Sequence, residues 1–448
     1  SHFLIASNAH AASPITPSGL ATQVSAPLPV TSGETLYNIT DGTRVGTNLF
    51  HSFDEFNLPR NHIANFLNNA GLETSNILGR VTGGNPSSIF GTIQTTGFEN
   101  ANLFLMNPSG IVFGPTASLN VGGSVTFTTA DYLRLTDNGG AAGIFHAQPA
   151  LQNVLTSAPV AVFGFLGSSP ASIAVQESKL EIKPGNSMTL VGGNLGFVYT
   201  NPDSGFTALA PNGVTLNGAK LTAQSGQINI ASVASHGEIL AGTLDQAPNG
   251  QSFGTLGKIS VSEKSLLDVS GKGGGTVLIR GGQFVLDDST ISANVTGPGK
   301  VANGSESIGS GINIITEQDA TIRNLAVLET NVTGNTTPSV TYGGVHLEAD
   351  HIGILGTISF EDVLAGVDPD PFPFTGIRSN VLTGGTSGNS GTITLKGNSI
   401  LVKDSGQLQT ITKGIGNAGS IIMRAIQNLD SNVGLIESRA DNFATGDA

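Results

Sequence analysis

The chain has 448 residues with 61 Gly, no Cys and no Trp, and its 19 Lys and Arg against 32 Asp and Glu give a formal net charge of -13. The absence of Cys excludes a disulfide framework, a thiolate metal site and a cysteine nucleophile. The acidic balance, with scattered basic residues, argues against nucleic acid as a partner.

Only 11% of residues are charged while 38% are hydrophobic, so a folded, low-charge chain is expected rather than a disordered one. No apolar run is long enough for a transmembrane helix. Gly, Ser, Thr and Asn are abundant and Val, Ile and Leu recur at alternate positions, the mark of many short strands and tight turns.

Residues 1–29 read as an N-terminal extension. Ala9-His10-Ala11 follows the apolar run FLIAS and has the small-x-small form of a signal-peptidase site, so a signal remnant and a plain extension are both open. Phe50, Phe53, Phe56 and Phe66 form an aromatic group spaced by three or more. Residues 61–69 are the best candidate in the chain for a helical turn.

Two motifs follow. The first is Gly79-Arg80-Val81-Thr82-Gly83-Gly84-Asn85-Pro86-Ser87. The second is Asn107-Pro108-Ser109-Gly110-Ile111 inside an apolar stretch. It reads as a type I turn, with Pro presetting φ and Asn bonding its own backbone.

From about residue 175 a unit recurs. One strand type appears at Ser178-Lys179-Leu180-Glu181-Ile182, Ser265-Leu266-Leu267-Asp268-Val269 and Gly406-Gln407-Leu408-Gln409-Thr410. A second, Gly-x-aliphatic-x-aliphatic, appears at Gly226-Gln227-Ile228-Asn229-Ile230, Gly275-Thr276-Val277-Leu278-Ile279 and Gly391-Thr392-Ile393-Thr394-Leu395. Alternation puts aliphatic residues on one face and Thr, Ser, Asn and Gln on the other. Stacking successive copies buries the apolar face in a continuous column. The expected fold is therefore all-β: a parallel β-helix with loop insertions. Coils of roughly 20–25 residues would give about 15 coils and a rod of about 70 Å. A pair of β-sandwiches is the alternative, with Asn212-Gly213 and Asn217-Gly218 as hairpin turns. The loops at 242–254, 294–309 and 365–376 interrupt the repeat.

On residues 48–53, 79–87, 107–111 and 117–124 the chain resembles the N-terminal two-partner secretion domain of filamentous-haemagglutinin-like exoproteins, most similar to versions from cyanobacteria and other environmental Gram-negative bacteria. The family's Asn-Pro-Asn-Gly-Ile motif appears with Ser109 in place of the second Asn, and a second family motif, Asn-Pro-Asn-Leu, is absent. The resemblance implies a right-handed parallel β-helix with an N-terminal cap. It implies a secretion domain and cap over residues 30–170 and a β-helical shaft over 171–448 that continues in a longer chain. It implies Asn107, Pro108, Ser109, Gly110 and Ile111 as the secretion motif, with Asn48, Phe50, His51, Phe53, Arg80, Asn85 and Pro86 as its context. The partner it implies is an outer-membrane transporter, and the location secreted or cell-surface. Folding of stacked coils outside the cell would help drive export. The shaft would act as adhesin or fibre component, with surface glycans or copies of itself as partners.

Some parallel β-helices cleave polysaccharides, and a polysaccharide-active enzyme is the alternative; a surface-layer or filament subunit is a third reading. Glycosidic hydrolysis needs two spaced carboxyl groups. Asp287-Asp288 is the adjacent acidic pair inside the repeat and reads as a solvated turn. Asp368 and Asp370 alternate with Pro in a loop, without the ligand number Ca²⁺ needs. His346 and His351 are spaced for neither a helical metal pair nor one strand face. No enzyme, cofactor or metal is expected.

Overall fold

The computed structural model describes residues 13–137, 142–247, 253–298, 311–336, 341–359, 361–362, 373–382 and 387–441. The fold is the expected all-β, right-handed parallel β-helix with an N-terminal cap. Its hand is the one that parallel crossover connections almost always take.

Each coil contributes strands to three faces, and each face buries one aliphatic column. On the first face the column runs Leu49, Ile77, Leu103, Val125, Met188, Ile228, Val277, Ile312, Val345, Ile393 and Ile421, each in parallel register with the next. On the second it runs Ile89, Phe113, Val175, Leu216, Val261, Leu286, Ile322, Ile354 and Val402. The third face ends in an 8-stranded parallel sheet whose column starts Leu180, Leu221, Leu267, Ile291. Parallel pairing between successive coils along these faces excludes the sandwich. Asn217-Gly218 is a coil corner, with Gly218 at φ +61°, and not a hairpin turn.

The coils are longer and fewer than the repeat suggested. Neighbouring coils are offset by 24 residues at Ser265 and Ser289, 26 at Asn76 and Asn102, and 28 at Asn48 and Asn76. The first-face column spans about 50 Å at ~4.8 Å per step, short of the expected rod. Insertions outside the helix, such as the strands Val160–Phe165 and Phe197–Thr200, lengthen the chain between coils.

Two insertions matter for the motifs. Tyr132–Thr136, Ala142–His146, Val160–Phe165 and Gly237–Leu240 form a 4-stranded antiparallel sheet. It covers the outward side of the first face and builds a second core from Phe50, Leu78, Met106, Leu133, Phe145, Phe163, Val191 and Ala231. This sheet spans the expected boundary at residue 170. Phe197–Thr200 and Thr207–Ala210 form an antiparallel hairpin packed on the second face against Phe90, Val112 and Ala174.

The cap closes the first coil. Ile15–Gly19 and Thr43–Val45 both pair antiparallel with Asn48–Phe56. Thr22–Val24 and Leu28–Pro29 pair antiparallel with Thr35–Asp41, which runs parallel to His62–Leu67. An uncovered edge would recruit other strands. The cap thus begins inside the stretch read as an extension; residues 1–12, with Ala9 and Ala11, lie outside the described residues.

Residues 61–69 are not a helical turn. His62–Leu67 is a strand, paired parallel on both sides with Thr35–Asp41 and Thr92–Thr96. Ladder pairing and inward alternation of Ala64 and Phe66 override the local preference.

Candidate functional site

The motif turn is built from its own backbone. The Gly110 amide donates to the Asn107 carbonyl at 3.1 Å, and the Ser109 amide donates to Asn107 Oδ1 at 3.0 Å, as expected of an Asn-initiated turn. Asn107 is 1% exposed. Its Nδ2 donates to the Asn85 carbonyl and to Ser87 Oγ, both at 3.0 Å. Its amide donates to the Thr128 carbonyl. The side chain therefore ties the turn to the preceding coil, and the backbone amide ties it to the next. Pro108 and Ser109 are half-buried, and Ile111 is fully inside the core.

Gly110 is at φ +117°. A Cβ there would lie 2.4 Å from Cε1 of Phe197, so the missing side chain leaves room for the hairpin ring. Four residues on, a Cβ on Gly114 would lie 2.4 Å from the Phe90 ring.

The context residues sort by strand parity. In Asn48–Phe56 the inward residues are Leu49, His51 and Phe53, which lie in or against the main core. Asn48, Phe50 and Ser52 point outward under the antiparallel sheet. The aromatic group is split accordingly. Phe53 meets Phe56 and Phe66 edge-on at centroid distances of 5.2 and 6.2 Å, whereas Phe50 meets Phe145 of the covering sheet at 5.1 Å. A spacing of three in a regular strand reverses the face, and the register shift between Phe53 and Glu55 returns Phe56 to the core side.

Asn48 is fully buried. Its Nδ2 donates to the carbonyls of Thr156 and Ala158 at 2.9 and 2.8 Å. Its Oδ1 accepts from Asn76 Nδ2 at 2.8 Å, and Asn76 Oδ1 accepts from Asn102 Nδ2 at 3.1 Å. Arg80 is 5% exposed. Its Nε donates to Ser52 Oγ at 3.0 Å and its Nη1 to the His146 carbonyl at 2.7 Å, and its guanidinium stands 5.2 Å from the centre of the Phe145 ring. Burial holds the Arg80 pKa below its usual range. Asn85 is exposed and bonds Glu55 at 2.6 Å, and Pro86 is half-buried.

His51 is 1% exposed, with Nδ1 3.3 Å from Thr22 Oγ1 of the cap. Burial pulls its pKa down to about 4, against a smaller upward pull from Asp41. It is neutral at pH 7.

The enzyme-type candidates do not converge. Asp287 is paired with Arg323 at 2.8 Å and with Asn324. Asp288 is a coil corner at φ +42°. Asp368 and Asp370 lie outside the described residues. His346 faces Glu348 on one face, and His351 bonds Ser399 at 2.8 Å on the next. Among the described residues no group of three or more His, Asp or Glu is placed to hold a metal ion.

Sequence reading missed the residues that complete the site: Phe197, Asn76, Asn102 and Glu238. Asn76 and Asn102 carried a signal, since Asn recurs at strand starts one coil apart. Phe197 and Glu238 carried none, because each reaches the site from a distant insertion. Glu238 accepts from the Tyr132 hydroxyl at 2.7 Å and from Arg134 at 2.8 Å. Burial and the bond to Glu238 raise the Tyr132 pKa.

A family model described as the TPS secretion domain matches residues 13–279. No curated protein is significantly similar to the chain. Among solved structures, the secretion domain of HMW1 from Haemophilus influenzae is similar at 14% identity over 93% of this chain and 99% of that one, with a TM-score of 0.37. The filamentous hemagglutinin secretion domain is similar at 14% identity over 94% of this chain and 99% of that one, with a TM-score of 0.29.

Proposed function

This chain belongs to the TPS (two-partner secretion) secretion-domain family, whose model covers residues 13–279, and from that premise we propose that residues 107–111 act in export by locking the first coils together. The chain is an exoprotein, exported by a partner outer-membrane transporter. The observation that carries the proposal is the burial of Asn107, whose side chain is spent on its own turn and on the preceding coil. Asn48 and Arg80, the strongest context residues, are buried in the same way beneath the antiparallel sheet. In this reading the motif residues serve export through folding of the cap and first coils, and contact with the transporter is made by other surfaces.

Beyond the secretion domain, the shaft works as a non-enzymatic adhesin or fibre component at the cell surface or in the medium. Its outward columns mix ion pairs such as Glu348–Lys396 at 2.7 Å with polar residues such as Thr394. Such a surface suits surface glycans or lateral packing with copies of the chain.

The test is export of the full chain, given a periplasmic signal, with and without its cognate transporter. Asn107→Ala is expected to abolish release into the medium and to destabilise the purified chain. Transporter-dependent release at the normal level by Asn107→Ala would overturn the proposal.

A further inference from the structure

The motif turn and the hairpin meet at one contact. The Phe197 ring occupies the space a side chain on Gly110 would need, with Cδ1, Cε1 and Cζ all within 2.6 Å of that position. Phe197 opens the hairpin strand Phe197–Thr200. Two further fastenings hold the hairpin. Tyr199 donates its hydroxyl to Gln176 at 3.1 Å, and the Arg60 amide donates to Asp203 Oδ1 at 2.7 Å. Of these three fastenings, the Phe197 contact is the one that reaches residues 107–111.

We propose that Phe197 is a positioning residue for export: its ring, seated in the notch left by Gly110, holds the turn at residues 107–111 in shape. The glycine of the motif is then required for a partner that lies almost ninety residues downstream, as well as for its positive φ. The export element is complete only when the hairpin has joined the second face. This proposal rests on the reading of the turn as an element of export.

The test uses the full chain and two readouts. The first is hydrogen exchange of the amides in residues 107–111 in the purified protein, which needs no transporter. The second is transporter-dependent release. Phe197→Ala is expected to speed exchange of the Gly110 amide about tenfold and to lower release by a similar factor. Phe197→Leu, which refills part of the notch, is expected to restore most of both. Gly110→Ala combined with Phe197→Ala is expected to export no worse than Gly110→Ala alone, because both changes break one contact. Val381→Ala, buried far along the shaft, is the control for general destabilisation. Unchanged exchange in Phe197→Ala would overturn the proposal. So would faster exchange with normal release, or a loss of release no greater than the control shows. Normal release by Asn107→Ala would instead remove the underlying reading of the turn, and that result is independent of Phe197.

Discussion

Arg80 donates from Nη1 to the carbonyl oxygen of His146 at 2.7 Å, and this bond fastens a coil of the helix to the sheet that covers it. Among the described residues the guanidinium pairs with no carboxylate; it is held by Ser52 Oγ, the His146 carbonyl, Asn153 Oδ1 at 3.5 Å and the Phe145 ring. Charge-assisted bonds of this kind are worth about 1.5–3 kcal/mol each, and the His146 carbonyl would lose this donor. Arg80→Met is expected to cost about 2–4 kcal/mol in denaturant unfolding. Arg80→Lys is expected to recover little, because an ammonium cannot reproduce the planar fork that reaches both acceptors. Limited proteolysis should find new cleavage within residues 131–165 in both variants.

His51 makes the cap sensitive to acid. The unfolded chain takes up its proton near the ordinary value of 6.5, while the folded chain resists until about pH 4. The stability is therefore fully present above pH 6.5 and is lost as the pH falls through the window from 6.5 to 4. A shift of that size is worth about 3 kcal/mol. His51→Leu is expected to remove about 1.4 kcal/mol per pH unit from the slope of stability against pH in that window. Equilibrium unfolding at several pH values measures it. An unchanged slope would show that another group carries the acid response.

The asparagine column at Asn48, Asn76 and Asn102 couples three coils through side-chain amides. Asn76 donates to Asn48 and accepts from Asn102, so Asn76→Ala strands a polar atom on each side. The expected cost is about 1–3 kcal/mol. Asn76→Asp keeps the acceptor and loses the donor, and its penalty should grow as the pH rises through the carboxylate range. In a double-mutant cycle Asn48→Ala and Asn76→Ala should be non-additive by about 0.5–3 kcal/mol.

Glu238 ties a strand of the later chain to the covering sheet. Its carboxylate accepts from Tyr132 and Arg134, and the Arg134–Glu238 pair is largely shielded on the glutamate side. Glu238→Leu is expected to cost about 1–3 kcal/mol. A chain ended at residue 236 lacks Gly237–Leu240 and leaves the edge of Val160–Phe165 unpaired. That truncation should bind a hydrophobic dye more strongly than a chain ended at residue 281, which keeps the covering sheet complete.

Much of the fold was legible from the order of residues. Alternation in segments such as Gln227–Val233 and Thr276–Gly281 places one residue in two on the same side of a strand, and repetition of the unit leaves stacking as the way to bury that side. The turn at residues 107–111 was equally readable, because Asn, Pro and Gly each restrict the backbone locally. The same local reasoning misplaced residues 61–69, where parallel partners on both sides decide the conformation, and it overestimated the number of coils, because insertion lengths are invisible to a periodicity. It grouped Phe50 with Phe53, although strand parity separates them.

What the sequence determined by itself is the set of properties that act over a few residues: strand periodicity, turn geometry, low charge and the absence of cysteine. What only the tertiary structure decided is where distant segments meet. Phe197 reaches Gly110, Glu238 reaches Tyr132, and the Asn48 amide reaches the carbonyls of Thr156 and Ala158. These contacts come from insertions folded back over the coils. Their partners are chosen by which buried polar atoms and apolar surfaces remain unsatisfied once the helix has stacked, and that is settled only when the whole chain is in place.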